Sequence, residues 1–530
     1  MCNKLKYSLV VLFIIFMYFF TYSYLSNETQ LYQCDFVEQN LFWHDFSILL
    51  KENFVKFWQT LKFDVYYLNR NPVSILPLIP FSFIFKDFRF GFIFAVELMY
   101  LLNVMLLTVH IFNKYFIQNN LNNDKSTLKK RKTLMILSSI FFFPCLWHSV
   151  ISGIPDICGI IPVLCCYLIY FKYEFNKKIP LKILILFAFL LYLSFLFRRW
   201  YFVVLTSFLT SIFIENIIIS IKNSDKLKKI IFTVINLSIS SILVLLFAFI
   251  IQGGYIKNII INELTERSTY SMPFNQIGFL FGHLGLFISL ISITGLIFNI
   301  KNKLIRFSAL NIIIYASIYL FIMNNQLLWI NHFVYIAVLV CILFCAGLYT
   351  IVEFIKNETV KTAFITLIVL FNLLNFYTFF IFERPGVLKF LLPKTTAHPL
   401  KYGDYNKILT LYNYLEKEYN QNNNVKIVIY GLCNEIGYWQ FKSINPDCKF
   451  AKNITERILD ESFENAKYDE DIAIIFNPLG LYAPDKFNKK IKETQKMFEQ
   501  NKGFTKNYIK FKETELNNEQ KTKVTIYKRK

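Results

Sequence analysis

Long apolar runs alternate with short polar gaps along most of this chain. A helix needs about 20 apolar residues to cross the hydrocarbon core of a bilayer. Only segments that satisfy their own backbone hydrogen bonds cross lipid in such runs. We therefore predict a polytopic α-helical membrane protein with about eleven transmembrane helices. The predicted spans are 7–25, 90–112, 134–150, 157–171, 181–197, 201–221, 230–251, 279–298, 307–323, 333–354 and 362–382.

Lysine and arginine concentrate in every second gap between these runs. Basic loops mark the cytoplasmic face of a membrane protein, so we predict a cytoplasmic N-terminus. We expect the protein in the inner or plasma membrane of the cell. The first run follows Lys4 and Lys6 and resembles a signal peptide, but it is long and lacks a small-residue cleavage site, which predicts a retained helix. The cytoplasmic loops are then 113–133, 172–180, 222–229, 299–306 and 355–361.

The segment at 71–85 tests this orientation, because a full crossing there would invert every later loop. Its sequence, NPVSILPLIPFSFIF, is apolar but contains three prolines. It is also shorter than the roughly 20 residues that a lipid-facing helix needs. We predict that it is an interfacial or re-entrant segment, or the irregular start of the second helix.

Two large pieces then lie outside the cell: the first loop, at about 26–89, and the tail. We divide the chain into a transmembrane domain at 1–382 and an extracytoplasmic domain at 383–530. The tail alternates helical and strand patterns and predicts a small C-terminal soluble α/β domain. Helical stretches are predicted at 405–419, 454–466 and 484–500, and strands at 425–431, 471–477 and 523–528.

Composition excludes the main alternative classes. The 530 residues are 55% hydrophobic, which a soluble protein of this size could not bury. The net charge of +21 does not indicate nucleic-acid binding, because much of the excess lies in short loops where positive charge sets topology. The sequence contains no Cys-x-x-Cys pair, so it does not predict a cysteine metal site. Cys433 and Cys448 in the tail are either free thiols or a disulfide.

The first outer loop carries candidate catalytic residues. Asp35 follows the first helix closely, where a carboxylate can act as general base on a hydroxyl or hold a divalent cation. Glu38 lies three residues on, and Asp64 precedes the apolar segment at 71–85. Arg70 at the membrane edge suits a lipid phosphate, although interfacial snorkelling also explains it. Solvated loop carboxylates are the alternative for the acidic residues.

Two later outer turns carry further candidates. Asp156, in SGIPDICG, either caps the next helix or binds a metal or donor. Arg198 and Arg199 stand between apolar runs where positive charge is disfavoured, so they need an anion, either a carboxylate such as Asp156 or a phosphate. The adjacent Trp200 and Tyr201 fit an interfacial aromatic belt. His332 is a packed polar residue or a binding residue.

These parts suit transfer of a sugar from a polyprenyl-phosphate donor. A carboxylate base can deprotonate an acceptor hydroxyl. Arginines and a metal ion can stabilise the departing phosphate.

With these residues the chain resembles the GT-C superfamily of membrane glycosyltransferases. It is most similar to bacterial relatives of the protein O-mannosyltransferases (glycosyltransferase family 39) and of the aminoarabinose transferases. The resemblance rests on CDFVE after the first helix, FDVYYLNRNPVSILP, SGIPDICG before the fourth helix, the Phe-Arg of LFRRWYFVV, and VKIVIYG before GYWQF. The family's Asp-Glu pair and Lys-Pro-Pro motif are absent.

The resemblance implies roles for these residues. Asp35 would be the general base of an inverting transfer, with Asp64 the second candidate. Asp156 would orient the site or hold a divalent metal, Mg²⁺ or Mn²⁺. Arg70, Arg198 and Arg199 would hold the donor phosphate, with Glu38 and His332 also binding substrate. The implied partners are a polyprenyl-phosphate-linked sugar donor, a lipid, glycan or protein acceptor, and the lipid bilayer, with no nucleic acid.

Three other functions remain open. An O-antigen ligase or polymerase would use a diphosphate-linked donor on the same face. A transporter or flippase would need charges near the bilayer centre and often repeated halves. A non-catalytic scaffold that displays the tail is a third possibility.

Overall fold

The fold is described from a computed structural model. It describes residues 3–530 except 30–33, 68–71, 86, 119–125, 222–224, 259–272, 322–329, 382–387, 394–402, 432, 434–435, 458–459, 464–467, 479–488 and 518–520. The chain forms two compact units. One contains Met1–Tyr24 and Phe42–His398, and the other Leu25–Leu41 and Pro399–Lys530. Our division at residue 382/383, drawn where the last apolar run ends, stays a prediction.

The first unit is helical. Within the described residues, nine helices are long and apolar enough to cross a membrane. The helices are α1 (Asn3–Leu25), α2 (Cys34–Glu52, which begins in the second unit), α3 (Phe54–Tyr67), α4 (Phe88–Ile117), α5 (Ser126–Phe141), α6 (Pro144–Ile151), α7 (Ile160–Lys172), α8 (Leu181–Phe197), α9 (Tyr201–Ile221), α10 (Lys226–Asn258), α11 (Pro273–Asn299), α12 (Lys303–Phe321), α13 (Ile330–Phe354), α14 (Glu358–Ile381) and α15 (Leu388–Leu391).

Helix α13 forms the core of this unit. Of its most apolar stretch 94% is buried, against 22% for α10, so α13 lies centrally and α10 turns most of its surface outward. Helix α11 crosses α13 very closely. A Cβ atom on Gly295 would lie 2.1 Å from the Leu343 carbonyl oxygen, and one on Gly347 would lie 2.0 Å from the Ile291 carbonyl oxygen. Small residues at such crossings allow helix backbones to approach within a membrane.

The proline-rich segment forms a 3₁₀ helix, Pro72–Phe83. Pro77 and Pro80 remove two backbone donors from it. At about 2 Å of rise per residue, a segment of 12 residues is shorter than the roughly 30 Å hydrocarbon core. It packs against α4, and the Trp43 indole donates a 2.9 Å hydrogen bond to the Leu78 carbonyl. The structure agrees with the prediction of an irregular segment.

Carboxylates within the helices pair with basic residues near the loops predicted to be cytoplasmic. Glu215 accepts hydrogen bonds from Arg306, at 2.7 Å, and from the Tyr170 hydroxyl, at 2.6 Å. Lys132 forms an ion pair with Glu353. Such pairing offsets the cost of carrying charge within the membrane.

The second unit is a small α/β domain. Its five-stranded sheet has the order β2-β1-β3-β5-β4, in which β1, β2 and β3 are parallel and β4 and β5 antiparallel. The elements are α16 (Tyr405–Gln421), β1 (Ile427–Tyr430), α17 (Tyr438–Ile444), β2 (Ile454–Arg457), β3 (Ile472–Asn477), α18 (Lys489–Gln500), β4 (Tyr508–Glu515) and β5 (Lys523–Arg529), with 3₁₀ turns at Phe450–Asn453, Asp460–Phe463 and Gly503–Asn507.

The two faces of this sheet follow from alternation along its central strands. Ile427 and Ile429 of β1 face the layer that contains α16, while Val428 and Tyr430 face the layer that contains α18. Cys433 and Cys448 are free thiols in the first of these layers.

Most of the predicted elements of the tail are present, but the helix predicted at 454–466 is wrong. Residues Ile454–Arg457 form the edge strand β2, followed by the 3₁₀ turn Asp460–Phe463. β4 was also not predicted.

Candidate active site

The turn between α6 and α7 brings Asp156 into the protein interior. Gly153 has a φ of 93°, a left-handed conformation that ends α6. Its N–H donates to the Val150 carbonyl at 2.9 Å. Pro155 then starts a 3₁₀ turn, Pro155–Gly159, in which Asp156 is fully buried (0% exposed). The cap positions of this turn and of α7 are occupied by Ile154 and Gly159, so Asp156 is not the residue at either cap position.

The turn between α8 and α9 supplies the partners of this carboxylate. Arg198 Nε forms an ion pair with Asp156 Oδ1. The Trp200 indole N–H donates to Asp156 Oδ2 at 2.8 Å, and the Tyr201 hydroxyl donates to the Asp156 carbonyl at 2.7 Å. Three residues of one turn, Arg198, Trp200 and Tyr201, therefore hold the side chain and the backbone of Asp156 in the other turn.

A glycine allows the two turns to meet. A Cβ atom on Gly159 would lie 2.6 Å from the ring of Tyr201, which is fully buried. Only a residue without a side chain leaves room for this ring. The expectation of an interfacial belt is wrong for Tyr201, which is fully buried, and stays a prediction for Trp200, which is half-buried.

The ion pair is buried at one end and accessible at the other. Asp156 is 0% exposed, whereas the Arg198 side chain is 15% exposed. A buried carboxylate is tolerated when it is paired and hydrogen-bonded, and here Arg198 and Trp200 supply both. Asp156 therefore fixes the Arg198 guanidinium, which stays partly exposed and is a group that binds oxyanions well.

His332 joins this group from helix α13. Its ring lies 5.1 Å from the Trp200 ring and 5.9 Å from the Tyr319 ring, measured between centroids. The Tyr315 hydroxyl donates to the His332 carbonyl at 2.9 Å. The structure thus brings His332, Asp156 and Arg198 together through Trp200.

Arg199 points to a different helix. Its guanidinium carbon lies 3.0 Å from the centroid of the Tyr255 ring, near the end of α10. Helix α10 departs from helical geometry at Gln252, which accepts a hydrogen bond from the Tyr192 hydroxyl at 3.4 Å. Stacking on an aromatic face suits the planar guanidinium, so the Tyr255 ring holds Arg199 beside the site.

Asp64 lies on α3, which packs on the same part of α10. A Cβ atom on Gly253 would lie 3.2 Å from the Tyr66 hydroxyl, so α3 contacts α10 next to Tyr255. Asp64 is 8% exposed, and burial raises the pKa of its carboxyl above the ordinary value of 3.8. The helix that carries Asp64 and the side chain of Arg199 therefore contact the same stretch of α10.

The remaining predicted site residues are not placed against this group. Arg70 lies outside the described residues. Asp35 is the second residue of α2, but its side chain lies outside the described part of the chain. Asp35 and Glu38 belong to the second unit. The convergence of Asp35 and Glu38 with Asp156 therefore stays a prediction.

Three polar residues near this group were missed. Arg89 is buried and donates a 3.2 Å hydrogen bond to the Ser152 carbonyl, in the turn that carries Asp156. His148 and His283 are also buried, with ring centroids 6.5 Å apart. The sequence feature that could have identified these three residues is a single cationic or titratable side chain at the end of an apolar run. Such a residue is a functional candidate in a membrane protein. We had placed Arg89 at the end of the first loop.

The described residues do not fit a metal ion at Asp156. Its two carboxylate oxygens are bound by Arg198 and Trp200. No group of three or more histidine, cysteine, aspartate or glutamate side chains able to hold a metal occurs among the described residues.

No protein-family model and no curated protein matches the chain. Among solved structures, ArnT from Cupriavidus metallidurans in the apo state matches with a TM-score of 0.50 and 9% identity, over 98% of each chain. A structure of the same protein bound to undecaprenyl phosphate matches with a TM-score of 0.49 and 9% identity, again over 98% of each chain. At this identity the apo ArnT match speaks for the fold alone, and it confirms the predicted GT-C-like membrane fold with a C-terminal α/β domain.

Proposed function

We propose that the protein is a membrane glycosyltransferase that moves a sugar from a polyprenyl-phosphate donor to a hydroxyl acceptor on the extracytoplasmic face. The observation that carries the proposal is the ion pair between Asp156 and Arg198, which joins two turns at one end of a GT-C-like helical bundle. A fixed, partly exposed arginine at a membrane edge is a site for a lipid-linked phosphate.

In the proposed reaction the acceptor oxygen attacks the anomeric carbon of the sugar. The bond from that carbon to the phosphate oxygen breaks, and its electron pair leaves with the polyprenyl phosphate. Arg198 stabilises this negative charge, because Asp156 and Trp200 hold its surroundings in place before the reaction. A single displacement of this kind inverts the anomeric centre.

A carboxylate takes the proton of the acceptor hydroxyl. We assign this role to Asp35, following the GT-C resemblance, with Asp64 as the second candidate. Burial raises the pKa of Asp64, and a carboxylate of higher pKa is a stronger proton acceptor. Use of a divalent metal, Mg²⁺ or Mn²⁺, stays a prediction of the GT-C resemblance, and the EDTA arm of the experiment tests it.

The experiment uses the full-length protein, purified and reconstituted in lipid. It is incubated with polyprenyl-phosphate and polyprenyl-diphosphate sugars, with and without EDTA, and transfer is followed by mass spectrometry. We expect transfer from a monophosphate donor. Use of diphosphate donors alone would replace the proposal with a ligase or polymerase, and no consumption of any donor would contradict an enzymatic function.

Variants assign the base. Asp35→Asn should abolish transfer while the protein still inserts and folds. Asp45→Asn is the matched control, because Asp45 lies on the same helix with a side chain that is 64% exposed. Loss of transfer in Asp64→Asn with retention in Asp35→Asn would move the base to Asp64.

A further inference from the structure

The C-terminal domain contains a cleft that the proposed reaction does not use. It has a volume of about 570 Å³ and lies between α18 and the strands β3, β5 and β4. Ligand sites in proteins commonly have volumes of about 300–1,000 Å³. The cleft is therefore large enough for a small organic ligand, and its lining indicates which one.

The floor of the cleft is aromatic. Phe498, Tyr508 and Tyr527 line it together with Ile475. The Phe498 ring lies 4.7 Å from the Tyr527 ring and 5.4 Å from the Tyr508 ring, measured between centroids. Phe498 and Tyr508 are buried, while Tyr527 is half-buried, so the Tyr527 ring is the one that a ligand can cover.

The rim of the cleft is polar and carries both signs of charge. Gln495 donates to Glu499 at 3.1 Å. Glu513 accepts from Lys510 at 2.6 Å and from the Thr525 hydroxyl at 3.1 Å. The rim therefore offers amide, carboxylate, ammonium and hydroxyl groups, which include both donors and acceptors. Its charged members are Glu499, Lys510, Glu513, Lys523 and Lys530.

This combination distinguishes between ligand classes. A phosphate needs a cluster of cationic donors, but here two carboxylates, Glu499 and Glu513, share the rim with the three lysines, and Glu513 already accepts from Lys510. A wholly apolar ligand would cover this polar rim without forming hydrogen bonds to it, at a cost in desolvation. A sugar has an apolar face of C–H groups that covers an aromatic ring, and a periphery of hydroxyls that both donate and accept hydrogen bonds.

We propose that this cleft binds a neutral saccharide of one or two units, with Tyr527 beneath the sugar and Gln495, Glu499 and Glu513 around its hydroxyls. The inference goes beyond the proposed transfer, because it concerns a separate site and requires no donor. Burial, with Glu499 and Glu513 nearby, raises the pKa of Tyr527, so its hydroxyl remains a hydrogen-bond donor at neutral pH.

The test measures binding to the full-length protein in lipid nanodiscs. Neutral mono- and disaccharides are compared with inorganic phosphate by saturation-transfer NMR and calorimetry, without donor. We expect saturable binding of at least one saccharide. Tyr527→Ala should weaken it by roughly tenfold or more, which corresponds to about 1.4 kcal/mol. Gln495→Ala, at the rim and away from the floor, should weaken binding without lowering the melting temperature.

Phe511→Ala is the matched control. Phe511 is 50% exposed on β4 and stacks at 4.9 Å on Tyr414, which packs on the opposite face of the sheet. Its removal should leave binding unchanged. Equal loss in Phe511→Ala and Tyr527→Ala, binding of phosphate in place of saccharides, or no saccharide binding at all would overturn the proposal. Asp35→Asn should abolish sugar transfer but still bind the saccharide in the cleft. Measuring both properties therefore distinguishes failure of the cleft proposal from failure of the transferase proposal.

Discussion

The ion pair between Asp156 and Arg198 is the residue-scale feature with the clearest energetic consequence. Removing one member of a buried pair leaves an uncompensated charge and costs about 3–5 kcal/mol. Asp156→Asn and Arg198→Met should therefore each lower stability strongly. The double variant should cost less than the sum of the two, because the residues interact directly.

The measurement is thermal unfolding of the purified protein for both single variants and the double variant. Additive losses would show that the two residues do not stabilise each other. Donor binding is the second readout. Arg198→Met should lose it even in the background of Asp156→Asn, which a purely structural role for Arg198 does not require.

Gly159 is predicted to be required where Tyr201 crosses it. In Gly159→Ala the new Cβ atom would lie 2.6 Å from the Tyr201 ring, and overpacking of this kind costs about 1–3 kcal/mol. We expect a lower melting temperature and reduced sugar transfer. Gly403→Ala is the control, because no atom lies within 4 Å of the added Cβ. Equal melting temperatures for the two variants would contradict the predicted crossing.

Burial of Asp64 predicts a pH-dependent effect on stability. The pKa of its carboxyl is raised in the folded protein above 3.8, so the folded state favours the protonated form. The stability that the protonated Asp64 carboxyl contributes is fully present below its pKa in the unfolded protein. It is lost as the pH rises through its pKa in the folded protein. Asp64→Asn should therefore gain melting temperature relative to the unaltered protein at pH 7, and gain less at pH 4. Asp45→Asn should show no such difference between the two pH values. A larger gain in melting temperature for Asp64→Asn at pH 4 than at pH 7 would contradict the prediction.

The sequence predicted part of the site. An arginine between apolar runs on the outer face needs an anion, and Asp156 was one of the two anions expected for Arg198. The hydrogen bonds of Trp200 and Tyr201 could not be predicted. Aromatic residues at the end of a transmembrane helix have the same sequence signature whether they face lipid or a buried carboxylate.

At the scale of elements, the crossing of α11 and α13 depends on two glycines. A Cβ atom on Gly347 would lie 2.0 Å from a backbone oxygen of α11, and backbone cannot move aside as a flexible side chain can. We expect Gly347→Leu to separate the helices and to lower both expression and melting temperature. The control is Leu290→Ala, because Leu290 lies on α11 and is 54% exposed. Comparable losses in the two variants would show that the crossing is not tightly packed.

The strands show why element prediction failed in places. Ile454 and Thr455 favour a strand, but the stretch around them is charged and was assigned to a helix. β2 and β4 are the two edges of the sheet, and edge strands often carry charged side chains. β4, with the sequence YIKFKETE, is mostly exposed. The buried central strands β1 and β3, which consist mainly of isoleucine and valine, were predicted correctly.

At the scale of the whole molecule, the charge pattern predicts which face each loop occupies. A full crossing by residues 71–85 would place the later basic loops outside. The structure gives instead a 3₁₀ helix, Pro72–Phe83, that packs against α4 and is shorter than a bilayer core. The segment is thus too short to cross alone, as predicted, while the orientation with the N-terminus cytoplasmic and the C-terminal domain extracytoplasmic stays a prediction.

The orientation is tested with cysteines introduced at two exposed positions, Lys356 in a basic loop and Lys530 at the C-terminus. In intact cells a membrane-impermeant maleimide should label Lys530→Cys but not Lys356→Cys, and both should be labelled after permeabilisation. The unaltered protein supplies the background from its own ten cysteines. If Lys356→Cys alone were labelled in intact cells, the topology would be the inverse of the predicted one. Asp156 and Arg198 would then lie on the cytoplasmic face, away from the predicted donor.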